Sequence, residues 1–146
     1  MKLQPTDLDR EASQLFKLAP RMRAWFAEPG APECACTVLE IGTPETEWDQ
    51  GHPRAWVAWE GLGGACGWVR VAHVTAIDAD DPATAGTMES AIIESLGGMP
   101  DIWGVHYHCD GGWVVEVNDS HYYGDTKGAA LVAAMRELKK VSGGTA

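Results

Sequence analysis

Apolar and polar positions along the chain mark out its elements. From Thr6 onward, Leu8, Ala12, Leu15 and Phe16 recur at i, i+4, i+7 and i+8, the single stripe of an amphipathic helix. Thr6-x-x-Asp9 has capping-box form with a shorter acid, and Asp7, Asp9 and Glu11 suit the positive end of the helix dipole. Pro20 fits the first turn of a short second helix, RMRAWFAE, which Glu28-Pro29-Gly30 ends. CACTVLEIG (34–42), RAWVAWE (54–60) and CGWVRVAHV (66–74) read as strands, with a polar loop TPETEWDQGHP and a turn LGG between them. The last two carry apolar groups on both faces, as strands covered on both sides do. Asp81 and Pro82 predict the N-cap and first position of a helix whose stripe is Met88, Ala91, Ile92 and Leu96, ended by Gly97-Gly98. DIWGVHYHC, a turn and WVVEVN follow, then a last helix striped by Leu131, Ala134, Met135 and Leu138.

A weak repeat runs through this pattern. WVAWEGLGGACGWVRV, a loop and a helix parallel WGVHYHCDGGWVVEV, a loop and a helix. The fold expected is α+β: an antiparallel β-sheet built from two ββα-like units with helices on both faces, an α/β/α sandwich. One domain spans 1–146, with N-terminal helices at 6–28, a first strand and hairpin at 34–74 with a helix at 82–96, and a second hairpin at 102–118 with a helix at 126–140.

The second hairpin holds the richest side-chain chemistry, HYHCDGGW (106–113). A three-residue loop Asp110-Gly111-Gly112, with a left-handed glycine last, opposes Cys109 to Trp113, Tyr107 to Val115 and Val105 to Val117. That register makes one face apolar, turns Cys109 into the core, and groups His106, His108 and Glu116 on the polar face. Two histidines and a carboxylate are the ligand set of many transition-metal sites. The bland alternative is a half-exposed face with a His–Glu pair of little net worth.

Composition narrows the function classes. Seven tryptophans fit a packed core or a partner surface. No apolar run is long enough to span a membrane, and MKLQPTDLDRE lacks the apolar core of a signal peptide, so a cytoplasmic location is expected. Four cysteines at irregular spacing do not make a disulfide framework. Net charge is −10, and between Arg23 and Lys127 the basic side chains are Arg54 and Arg70 alone. Residues 71–126 carry ten acids and no lysine or arginine, a field that repels nucleic-acid phosphates and anionic membranes. A protein partner with a basic surface is favoured, with Asp78, Asp80, Asp81, Glu45, Glu47 and Asp49 as candidate contacts.

Weaker candidates have structural explanations. Cys34-x-Cys36 offers two thiolates to zinc, or two small buried residues on one strand face. His121, Tyr122, Tyr123 and Asp125, read as a loop before the last helix, carry acid–base groups without a nucleophile motif. GLGGACG lacks the helix and Lys-Ser/Thr of a phosphate loop, and IDADD lacks the glycine and distal glutamate of an EF-hand.

The C-terminal portion, residues 84–141, resembles the phage ABA sandwich family of small bacteriophage and prophage proteins. The resemblance rests on the Met88–Leu96 helix ending in Gly97-Gly98, the strand DIWGVHYHC, GGWVVEV, a loop ending in GDT, and KGAALVAAMREL. It implies a sheet between helical layers and no catalytic residue. Phage origin implies action by binding host proteins, restriction and CRISPR effectors among them. The function expected is that of an acidic accessory protein of a bacterial host's cytoplasm. It would act by protein–protein binding and without a cofactor, inhibiting a nucleic-acid-binding defence complex. The alternatives are a protein using a divalent transition metal on His106, His108 and Glu116, and a homo-oligomeric structural protein such as a homodimer.

Overall fold

The computed structural model describes residues 2–42 and 51–143. Its fold is α+β, with antiparallel sheets and three helices among the described residues. The chain divides into two compact units, Met1–Asp78 and Ala79–Ala146.

Unit 1 opens with α1 (Asp7–Leu15), and its capping box forms as the sequence predicts. The Thr6 side chain accepts from Asp9 N–H, and the Asp9 carboxylate accepts from Thr6 N–H. Five strands follow: β1 (Arg23–Phe26), β2 (Cys34–Gly42), β3 (Arg54–Trp59), β4 (Cys66–Arg70) and β5 (Val74–Ile77). They form one sheet in the order β4-β3-β2-β1-β5, every neighbour antiparallel.

Two expectations change here. The predicted second helix, 21–28, is the strand β1, buried along its whole length. Met22, Trp25 and Phe26 fit a helical stripe, but the segment is too short for periodicity to separate helix from buried strand. Arg21 stands at φ 79°, which a helix does not allow, and the sheet gains an interior strand instead. The predicted strand 66–74 also breaks. A 3-10 turn at Val71–His73 carries the chain from one edge of the sheet to the other, where β5 pairs with β1.

One sheet face holds the cluster Ala24, Phe26, Cys36, Val38, Ala55 and Val57, closed over by Leu18, Val71 and Val74. The other face presents Arg23 and Trp25 from β1, the guanidinium lying 4.7 Å from the indole centroid. Burial of the apolar cluster is the main stabilising term of this unit.

Unit 2 begins at α2 (Pro82–Ser95). Asp81 is its N-cap, accepting from Ala83 and Thr84 N–H at 3.2 Å each, with Pro82 at the first position. Gly97, at φ 83°, ends it, and Gly98 N–H reaches back to Ile93 O. A three-stranded sheet follows, β6 (Trp103–Tyr107), β7 (Trp113–Val117) and β8 (Ser120–Gly124), and then α3 (Lys127–Gly143).

α3 packs on β7 and β8, and α2 packs on α3. Gly124 permits the approach of β8 to α3, and Gly128 the approach of α3 to the segment before α2. A Cβ at Gly124 would stand 2.3 Å from Ala130 N, and one at Gly128 2.1 Å from Ala79 O. The strands therefore form two sheets rather than one. The expected first ββα unit is divided, its hairpin belonging to unit 1 and its helix to unit 2.

β8 occupies the segment expected to be a loop. Asn118, at φ 52°, turns the chain between Val117 and Ser120, which then pair. Asn-Asp between two apolar–polar runs is the local signal for this hairpin.

Candidate functional site

The acidic segment 78–81 is built into the structure. Arg23 Nη1 donates to Asp78 Oδ2 at 2.7 Å, and Lys2 Nζ lies 3.0 Å from Asp78 Oδ1. Lys2 also binds both Asp9 oxygens, at 2.7 and 2.8 Å. Arg23 reaches Glu60 through Nε and Nη2, at 2.6 and 2.9 Å. Asp9 is wholly buried, and Arg23 and Asp78 are each 4% exposed. The Arg23 guanidinium holds the Glu60 carboxyl below its ordinary range, chiefly by this hydrogen bonding.

Asp78 is thus withdrawn from any partner, against the expectation. Its burial is tolerated because each charge finds an opposite one with good geometry. Asp81 caps α2, and Asp80, exposed, accepts from Thr126 Oγ1 at 2.7 Å. Glu45, Glu47 and Asp49 lie outside the described residues.

The histidine hairpin has the expected loop form, displaced by one residue. His108 N–H donates to Gly112 O, Gly111 N–H donates to His108 O, and Gly111 is left-handed at φ 85°. The loop is therefore Cys109-Asp110-Gly111. Tyr107 opposes Trp113, His106 opposes Val114, and Gly104 opposes Glu116. The register moves by two residues, so every strand residue keeps its predicted face but changes its partner. Cys109 is carried out to the exposed tip rather than into the core. Cys34 is likewise exposed, while Cys36 is buried, where desolvation first and the Glu60 carboxylate second push its thiol up to about 12.

The candidate ligands His106, His108 and Glu116 acquire different neighbours. His108 Nδ1 accepts from Asp110 N–H at 3.3 Å and lies 3.7 Å from Asp110 Oδ2, and its ring meets Tyr123 edge-on. His108, Cys109 and Asp110 bring ligand-type atoms within 4.8 Å of one another, but they are consecutive tip residues and the Nδ1 lone pair is already engaged. Glu116 faces His121 on β8, Oε1 to Nε2 at 3.3 Å. His106 folds back along its strand, so that a Cβ at Gly104 would stand 2.3 Å from its Nε2.

A third feature is one that sequence reasoning misses. A groove of about 330 Å³ opens in unit 1, lined by Phe26, Pro32, Trp59, Trp68, Arg54 and Arg70, with Glu28 and His73 completing its polar lining. Trp68 is 43% exposed. Arg54 and Arg70 are direct cross-strand partners, a like-charge pairing that costs stability by itself. Among the described residues Arg70 has no ion-pair partner. The sequence signal is the isolation of these two cations in a long acidic stretch, but only the register brings them together.

Among the described residues no helix is long and apolar enough to cross a membrane. Comparison with known proteins gives no match to the chain among family models, curated proteins or solved structures.

Proposed function

We propose that this protein acts by binding a protein partner, as a small acidic accessory protein without chemistry of its own, and that the groove of unit 1 receives an acidic, aromatic or aliphatic segment of that partner. The observation that carries the reading is that both basic residues between Arg23 and Lys127 line the same apolar groove, opposed across β3 and β4. An anionic group in the groove would pair with the Arg70 guanidinium, and Arg is well suited to bidentate carboxylate recognition. Trp59, Trp68 and Phe26 supply the apolar contact that such a segment needs.

The test is a peptide array in which Asp/Glu residues flank Phe, Trp or Leu, with Asn/Gln counterparts as controls. Acidic peptides should bind more than about tenfold better than neutral ones, with the preference lost in R54E/R70E and weakened by raised salt. Equal binding of neutral peptides, or indifference to R54E/R70E, overturns it.

A second reading has its own observation. Asp101, Asp110, Asp119 and Asp125 are all exposed in unit 2, within the stretch devoid of lysine and arginine. This surface suits a basic partner, such as a host nucleic-acid-binding defence complex met by a phage-type inhibitor. Capture of Lys/Arg-rich peptides instead, abolished by D101K/D119K/D125K, would favour it.

A further inference from the structure

We infer that the partner segment received by the groove of unit 1 binds as an added β-strand, antiparallel to β4, and that its recognition element is Asp/Glu-x-Φ, where Φ is Phe, Trp or Leu. The inference rests on the groove reading above and specifies how the segment is held.

The phase of the β3–β4 ladder carries it. Trp59 N–H donates to Ala65 O at one end, and Val71 N–H donates to Pro53 O at the other. Between these ends the pairs run from Ala58–Cys66 to Arg54–Arg70 without a bulge. In an antiparallel ladder, pairs that exchange hydrogen bonds alternate with pairs that do not. Trp59–Ala65 and Pro53–Val71 are bonded positions, so Val57–Gly67 and Ala55–Val69 are bonded too. Cys66, Trp68 and Arg70 therefore turn their N–H groups away from β3, and Cys66 and Trp68 their C=O groups as well. β4 ends the sheet, so no strand among the described residues takes up these groups.

The two edges of this sheet differ. α1 packs on β5 at one edge. At the other, Trp68 is exposed, and β4 has neither the proline nor the bulge that keeps edge strands from pairing. Trp68, Val69 and Arg70 are consecutive, yet all three line the groove. Successive side chains alternate faces, so the groove borders the strand itself and not one face alone.

Side chains set the order of the incoming segment, because directly opposed residues share a face. The residue opposite Trp68 meets an exposed indole, which suits an aromatic or aliphatic group. The residue opposite Arg70 meets a guanidinium with no ion-pair partner among the described residues, which suits a carboxylate. In an antiparallel strand the second of these stands two positions before the first, which gives Asp/Glu-x-Φ. Every existing pair in this sheet is antiparallel, the more stable arrangement per residue. Backbone bonds then supply affinity, and the alternate side chains supply specificity.

The experiment is a backbone N-methylation scan of a short peptide containing Glu-x-Phe, titrated against the full chain. N-methylation of the Phe, whose N–H faces Trp68 O, should weaken binding by more than about tenfold. N-methylation of either neighbour, whose N–H faces solvent, should cost less than about threefold. The reversed order, Phe-x-Glu, should bind more weakly than Glu-x-Phe. Cys66→Pro removes an outward N–H and leaves the bonds to β3, so it should weaken binding while its thermal midpoint shows it folded. Acidic peptides that bind without the alternation, or equally well to folded Cys66→Pro, overturn strand addition and leave the groove reading standing. Alternation with neutral peptides bound equally well overturns the acidic preference and leaves strand addition standing. Tighter binding of Phe-x-Glu overturns the antiparallel register, and absence of binding by any peptide overturns both readings.

Discussion

Arg23 and Asp78 are 55 residues apart in sequence and joined at 2.7 Å, both almost wholly out of water. The same guanidinium grips Glu60 twice and the Lys2 carbonyl once. Arg23→Ala removes the hub and leaves Asp78 buried with less than its full complement of positive charge. The expected cost is about 3–5 kcal/mol of stability, read by urea unfolding. R23M/D78L, which replaces both charges by apolar groups, should lose less than Arg23→Ala. Equal losses would mean that the network contributes through packing alone. Charge reversal at Asp78 is likewise expected to unfold unit 1, so loss of partner binding in such a variant would report folding rather than contact.

Acid should weaken unit 1 through two carboxylates. Glu60 is held below its ordinary value of 4.5 mainly by hydrogen bonding to Arg23, and Glu33 below the same value by hydrogen bonding to Arg10 and Thr75. Both are lower in the folded chain than in the unfolded one. Their stabilisation is therefore complete above about pH 4.3–4.5 and is lost as pH falls through the folded values. Urea unfolding between about pH 2.5 and 6 should show this decline, and Glu60→Gln should flatten it more than Glu33→Gln. Arg23 is buried, whereas Arg10 is 46% exposed and its pair is screened by water. Equal flattening would show that burial does not set the difference.

Thiol chemistry should divide three to one. Cys34, Cys66 and Cys109 are exposed, while Cys36 is buried with its thiol pushed up to about 12. The thiolate is the reactive form, so three equivalents of a disulfide reagent should react at about pH 8 in the native protein and the fourth only on unfolding. Mass spectrometry of the partly labelled chain should find Cys36 unmodified.

Two glycines of unit 2 should respond oppositely to alanine. A methyl group at Gly86, inside α2, would meet nothing within 4 Å, so Gly86→Ala should stabilise by about 0.5–1 kcal/mol through helix propensity and unfolded-chain entropy. Gly124→Ala would drive a methyl group into the backbone of α3 and should destabilise by about 1–3 kcal/mol or more. Thermal unfolding midpoints separate the two.

The elements with local signals are legible in the sequence. Thr6 and Asp9 announce α1, Asp81-Pro82 announces α2, and Gly97-Gly98 ends it, because caps are built from neighbours in sequence. β1 is not legible. Its burial depends on its place between β2 and β5, and its four residues carry no period that distinguishes strand from helix. The histidine hairpin shows how far local rules reach. Loop type and side-chain faces follow from the glycines and the apolar alternation, but a shift of two residues keeps both and changes every cross-strand partner. The groove and the Arg23 network depend on pairings between distant segments, Arg54 with Arg70 and Arg23 with Asp78, which no spacing in the chain announces.

The strand order of unit 1 bears on how the chain is made. β1 lies inside the sheet, yet one of its two neighbours, β5, is the last strand of the unit to be synthesised. At about 5–20 residues per second, several seconds separate the emergence of Arg23 from that of Asp78. During that interval Arg23 lacks its Asp78 partner, and β1 presents an open hydrogen-bonding edge. The nascent unit is therefore a late closer: Arg23 and the β1 edge wait for the segment that ends at Asp78, and a pause shortly before that residue prolongs their exposure to chaperones and proteases.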